Sequence, residues 1–207
     1  IAKGASFSAT PSVSGEYVTY SVTSGPLPTG LTLNANNGVI SGTPSQSVFN
    51  REVTIKAQNT LGSKTVTLSF SVIASISSFS YPKSTYSIAK GVSFSATPSI
   101  SGDSITYSIT SGSLPTGLTL NANSGVISGK PTQAVSNRQV TIKAQNTLGS
   151  KTTTLTFNVL GSISSFSYPK STYVIAKGVS FSATPSASGD SIVFSITSGS
   201  LPTGWTL

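Results

Sequence analysis

The run Thr152-Thr153-Thr154-Leu155-Thr156-Phe157-Asn158-Val159 decides the fold. In it Thr153, Leu155, Phe157 and Val159 alternate with Thr152, Thr154, Thr156 and Asn158. Successive side chains of an extended chain point to opposite faces, so a period of two reads as a strand with one face buried. The same alternation precedes it. Val140, Ile142 and Ala144 alternate with Thr141, Lys143 and Gln145, and Ile105, Tyr107 and Ile109 with Thr106, Ser108 and Thr110. Val92, Phe94 and Ala96 alternate with Ser93, Ser95 and Thr97, and Phe79 and Tyr81 with Ser78 and Ser80. Short strands at 118–120 and 126–128 complete a set of about seven. No stretch carries helical periodicity. The expectation is an all-β chain of antiparallel strands, with Phe94, Ile105, Tyr107, Leu118, Leu120, Ile127, Ile142, Leu155 and Phe157 in one core.

The turns between these strands have their own chemistry. Asn123-Ser124-Gly125 places glycine where a tight turn wants positive φ. Asn146-Thr147-Leu148-Gly149 joins the last two strands as a hairpin, with Gly149 expected in the left-handed position. Pro98, Pro115 and Pro131 stand at strand ends, where a missing N–H costs little.

The pattern recurs with a period of 87 residues. Ile1-Ala2-Lys3-Gly4 returns at Ile88 and again at Ile175 (88 − 1 = 87; 175 − 88 = 87), with no insertion or deletion between. The expected units are 1–74, which lacks a first strand; 75–161, which is complete; and 162–207, which holds only an N-terminal part. A unit of this length can bury its own core, so the chain reads as tandem sandwiches in an extended array. The third unit stops in mid-fold, and the reading therefore expects these residues to be a window on a longer array. Units one and two match at about three quarters of their aligned positions, and the changes are mostly mild, as in Val13/Ile100 and Glu16/Asp103. The linker between the paired strands is about five residues long and contains Ile76, with Ile163 as its counterpart. A short apolar linker should dock neighbouring units, and Ile76 and Ile163 are the candidate interdomain contacts.

Composition removes most chemistry. There is no Cys, His or Met, so disulfides, thiolate or imidazole metal sites, Cys nucleophiles and His bases are absent. The four acids are Glu16, Glu52, Asp103 and Asp190, of which Glu16, Asp103 and Asp190 are one position in successive units. One acid per unit makes neither the carboxylate pair of a glycosidase nor a calcium cage. No catalytic residue, cofactor site or metal site is expected, and calcium chelation should leave the fold unaffected. The net charge of +8 comes from Lys and Arg scattered once per unit, unlike the clustered cations and exposed aromatics of nucleic-acid binders. No apolar run has membrane length.

The stretch from Leu114 to Pro131, Leu-Pro-Thr-Gly-Leu-Thr-Leu-Asn-Ala-Asn-Ser-Gly-Val-Ile-Ser-Gly-Lys-Pro, resembles the hallmark of the immunoglobulin-like domain family of large surface proteins, related to dystroglycan-type cadherin-like domains. Ala144-Gln145-Asn146 and Gly149 match its later strand, Asn and Gly-containing hairpin. The resemblance covers unit two, nearly all of unit one, and unit three as far as it goes. It implies tandem immunoglobulin-like sandwiches at an extracellular or cell-surface location. The acidic linker motifs of calcium-binding cadherins are missing, so docking through Ile76 and Ile163 would have to replace calcium as the source of stiffness.

Ser and Thr make up about a third of the chain, and the exposed faces must be covered by hydroxyls. No Asn lies in an Asn-x-Ser/Thr pattern. Thr10, Ser12, Thr97, Ser99, Thr184 and Ser186, in three Thr-Pro-Ser copies, are the candidate O-glycosylation positions; plain β-propensity is the competing explanation. The reading is a structural subunit of an extracellular fibre or filament, with neighbouring copies of the repeat as partners and glycans as a further partner. The alternatives are the stalk of a cell-surface adhesin and a carbohydrate-binding module.

Overall fold

A computed structural model describes residues 1–207. It contains strands and turns only. The first unit carries β1 (Phe7–Ala9), β2 (Thr19–Ser24), β3 (Leu31–Leu33), β4 (Ile40–Gly42), β5 (Val48–Asn59) and β6 (Gly62–Val72). The second carries β7 (Ser78–Ser80), β8 (Thr85–Ala89), β9 (Phe94–Ala96), β10 (Ser99–Ser101), β11 (Thr106–Gly112), β12 (Leu118–Leu120), β13 (Ile127–Gly129), β14 (Val135–Asn146) and β15 (Gly149–Leu160). The third keeps two short strands, β16 (Ser165–Ser167) and β17 (Ser186–Ser188).

The complete unit is a sandwich. One layer is the four-stranded sheet β11-β14-β15-β8; the other is β12-β13-β9, extended by the β10-β7 pair. Period-two alternation on β14 and β15 turns Val140, Ile142, Leu155 and Phe157 inward, against Leu118 and Ile127 of the opposite layer. Tyr86 stacks on Phe157, with ring centroids 5.6 Å apart, and meets Phe94 edge-on at 5.0 Å. Burying side chains of this size contributes about 1.5–3 kcal/mol each.

Several expectations are corrected. The pairing is not purely antiparallel, because β8 runs parallel to β15 with Phe157 opposite Tyr86. A second unforeseen strand, β10, pairs with β7. The apolar residues form two clusters rather than one. Tyr107 joins Ile76 and Ala144 at one end of the sandwich, with Ile105 partly buried beside them. Phe79 and Leu120 touch both clusters. Two residues in core phase are on the surface. Val92 precedes its strand in a turn and is 55% exposed, and Ile109 is 37% exposed at a bulge where the β11–β14 register shifts.

Gly125 has φ +70, and an added Cβ would lie 2.6 Å from the Tyr107 ring and 2.8 Å from Pro98. The turn therefore needs glycine for its backbone and for the ring beneath it. Gly149 has φ +155, in the positive range that favours glycine, and the turn is closed by Asn146 Oδ1, which accepts the Leu148 N–H at 3.0 Å.

The candidate functional site at the junction between units

One acid recurs at fixed phase, as Glu16, Asp103 and Asp190, and the structure puts Asp103 and Asp190 where two units meet. Asp103 lies just after β10, on the turn that faces the linker. Its Oδ2 accepts the backbone N–H of Ala74 at 2.8 Å and the hydroxyl of Ser47 at 2.5 Å. Ser47 belongs to the first unit, so this bond crosses the junction. The Asp103 N–H returns a bond to the Ala74 carbonyl at 3.3 Å. Asn146, at the end of β14, is the one buried polar side chain of the chain. Its Nδ2 donates to the Ala74 and Asp103 carbonyls, both at 3.0 Å. The first linker residue is thus clamped on both its backbone groups.

Hydrogen bonds from Ser47 and then from Ala74, with the Lys3 ammonium adding its field, hold the Asp103 carboxyl below its ordinary range. Below the clamp, Ile76 is only 7% exposed and packs on Tyr107 and Ala144. Gly102 leaves room for it, since a Cβ there would stand 3.2 Å from Ile76 Cγ1. Tyr81 continues the anchoring by donating its hydroxyl to the Gly125 carbonyl. Burial, then the fields of Tyr107 and Tyr86, push its phenol well above the ordinary range.

The second junction repeats part of this. Asp190 Oδ2 accepts the Gly161 N–H at 2.5 Å. Ser47 has no counterpart there, because Ala134 occupies its position. Ile163 is 57% exposed. The acid and the linker isoleucine come together at the first junction; the sequence signals for both were one acid and one apolar linker residue at fixed phase. The roles of Ser47 and Asn146 carried no such signal, because Ser is everywhere in this chain and Asn146 reads as a turn residue.

The hydroxyls of Thr10, Ser12, Thr97, Ser99, Thr184 and Ser186 belong to exposed residues, Ser99 on β10 and Ser186 on β17. Phe49 is exposed on β5. Trp205 is half-buried and stacks on Phe181 at 4.6 Å, beside an open groove lined also by Tyr168, Tyr173, Phe194 and Leu201. No three acidic residues converge anywhere, and no helix is long and apolar enough to cross a membrane.

A sequence model of the family described as "Putative Ig domain" matches residues 2–75 and 71–160. The chain belongs to this family. No curated protein sequence matches it. Among solved structures, the N-terminal eight Ig domains of Down Syndrome Cell Adhesion Molecule isoform 1.30.30 align with TM-score 0.57 and 12% identity, over 82% of this chain and 26% of that one. The N-terminal four Ig domains of Dscam1 isoform 1.9 align with TM-score 0.53 and 12% identity, over 77% of this chain and 42% of that one. At such identities the likeness is one of fold: tandem immunoglobulin-like sandwiches. The chain spans less than half the length of either structure.

Proposed function

We propose that this chain is a force-transmitting segment of an extracellular fibre or filament, with no catalytic role. The observation that carries this reading is the clamp on Ala74. A linker held through both its N–H and its C=O, with Ile76 seated beneath it, transmits force between sandwiches instead of letting them swivel. The same acid meets the linker again at Gly161, one period later. The shared carboxylate-to-linker bond gives successive joints a common geometry, as in a stacked repeat array. In this reading Ile76 and Ile163 are the apolar part of each joint. The Leu114–Pro131 motif extends the kinship to dystroglycan-type cadherin-like domains, here stiffened by a carboxylate clamp in place of calcium.

The hydroxyl-rich exterior suits an extracellular surface, and O-glycans at Thr10, Ser12, Thr97, Ser99, Thr184 and Ser186 would space a coat along the rod. The stalk of an adhesin is the second reading, supported by adhesion-molecule ectodomains that use the same tandem architecture. Electron microscopy of the native material tests both. Stiff rods packed side by side are the expected result. Rods that run singly and end in a separate head indicate the stalk. Flexible beads with no fixed pitch would refute the force-transmitting reading altogether.

A further inference from the structure

The turn between β3 and β4 differs from its counterpart between β12 and β13 at one residue with chemical consequence. In unit one it reads Asn34-Ala35-Asn36-Asn37-Gly38, and in unit two Asn121-Ala122-Asn123-Ser124-Gly125. Asn37 is the one asparagine of the chain that is followed by glycine.

The fold fixes the glycine and leaves the residue before it free. Gly38 has φ +70, and a Cβ there would stand 2.6 Å from both the Tyr20 ring and Pro11 Cγ. Gly125 is in the same state against Tyr107 and Pro98. Neither unit can exchange its glycine without displacing a ring. Position 37, by contrast, is exposed, and Asn37 Oδ1 accepts the Val39 N–H at 3.0 Å. Ser124 Oγ accepts the Val126 N–H in the same place, at 3.4 Å. A hydroxyl closes the turn as an amide does, but the amide alone has an electrophilic carbon.

The geometry puts that carbon next to a nucleophile. The Asn37 side chain bends forward over Gly38 to reach Val39, so Cγ and the Gly38 nitrogen share one small ring closed by the hydrogen bond. Gly38 has no side chain to shield its nitrogen. The Val39 N–H points at Oδ1, where negative charge gathers when Cγ is attacked, and a donor there stabilises that charge. One restraint opposes the attack: the Gly38 N–H donates to the Asn34 carbonyl at 2.8 Å and has to leave it first.

We propose that Asn37-Gly38 is a self-modification site of the folded chain, converting to an aspartyl or isoaspartyl link with water as the co-reactant. The Gly38 nitrogen loses its proton to hydroxide and bonds to Asn37 Cγ. The Cγ–Nδ2 bond breaks, and Nδ2 takes up a proton from water and leaves as ammonia. Water then opens the cyclic imide at either carbonyl. Breaking the new Cγ–N bond restores the original backbone with a carboxylate on the side chain. Breaking the original peptide C–N bond instead routes the backbone through Cβ and Cγ and lengthens it by one carbon. That second product cannot keep Gly38 in place between Tyr20 and Pro11, so it loosens unit one and not unit two.

Incubation of the whole folded chain at mildly alkaline pH tests this, with peptide mapping by mass spectrometry and a synthetic peptide of residues 31–42 beside it. Conversion at Asn37 is expected at a rate within about tenfold of the peptide's, with ammonia released in equal amount and the other asparagines intact. Asn37→Ser, which copies unit two, should fold normally and release no ammonia. A folded chain more than about tenfold slower than the peptide overturns the proposal, because the Asn34 carbonyl would then hold the nitrogen out of reach. Equal conversion at Asn36 or Asn50 overturns it as well, because the turn would then select nothing.

Discussion

The hydroxyl of Ser47 and the carboxylate of Asp103, 56 residues apart, are joined by a 2.5 Å hydrogen bond that spans two sandwiches. The second junction does not repeat it, since Ala134 replaces Ser47. Ser47→Ala should therefore leave the Asp103 carboxylate, like that of Asp190, bonded to the linker amide alone. The loss should be about 0.5–1.5 kcal/mol, with more for the ionised acceptor before solvent screening is allowed for. Hydrogen exchange at the Ala74 amide reports it directly: faster exchange is expected in Ser47→Ala. Ala134→Ser should slow exchange at Gly161.

Acid should loosen the first junction. The Asp103 carboxyl titrates below its ordinary range in the folded chain. A depressed folded value contributes stability above the unfolded value, about 3.9, that is lost as the pH falls through the folded one. Small-angle scattering from pH 7 downwards should show an unchanged rod until the pH is below the usual aspartate range, then growing flexibility. Asp103→Asn should be flexible at every pH. A rod equally stiff in that variant would remove the carboxylate from the joint.

Alkali should act on the core. Burial raises the phenols of Tyr81, Tyr86 and Tyr107 above their ordinary value of 10.0. A raised folded value leaves stability intact below the unfolded value and removes it as the pH climbs toward the folded one. Tyrosinate absorbance from these three rings should rise only as the second unit unfolds. Ionisation of these three rings near pH 10 with the fold intact would contradict this.

Gly125→Ala should destabilise the second unit by more than the usual ~1 kcal/mol of a backbone substitution at positive φ, because the new methyl meets the Tyr107 ring. Thermal unfolding of the variant checks it. Gly149→Ala, where a Cβ meets nothing within 4 Å, is the milder control.

Phe157→Ala should cost about 3–5 kcal/mol, since the ring is fully buried between Tyr86 and Phe94. Denaturant unfolding monitored on the second unit measures it. A cost below ~1 kcal/mol would mean that the two layers do not close on this ring.

Much of this was legible in the residues. Period-two alternation located β14 and β15 because both strands bury one face along most of their length. It missed β8, whose Tyr86 and Ile88 sit in a short run that becomes a strand only against the distant β15. It overcalled Ile109, because a bulge rotates the strand, and no residue type announces a bulge. At the junction, the phase of Asp103 and Ile76 was visible, but the clamp was not. Nothing in one dimension says that a carboxylate will face the amide of Ala74, 29 residues earlier.

The twelve residues shared by 75–86 and 162–173 leave the chain unable to tell its own strands apart by fit. Each segment would bring the same side chains to the pocket that Ile76 fills against Tyr107 and Ala144, so correct assembly depends on address. The right strand is the one tethered nearest, and it arrives first as the chain is synthesised from its N-terminus. A short linker is then a proofreading device as well as a joint, and lengthening it would cost fidelity of folding before it cost stiffness.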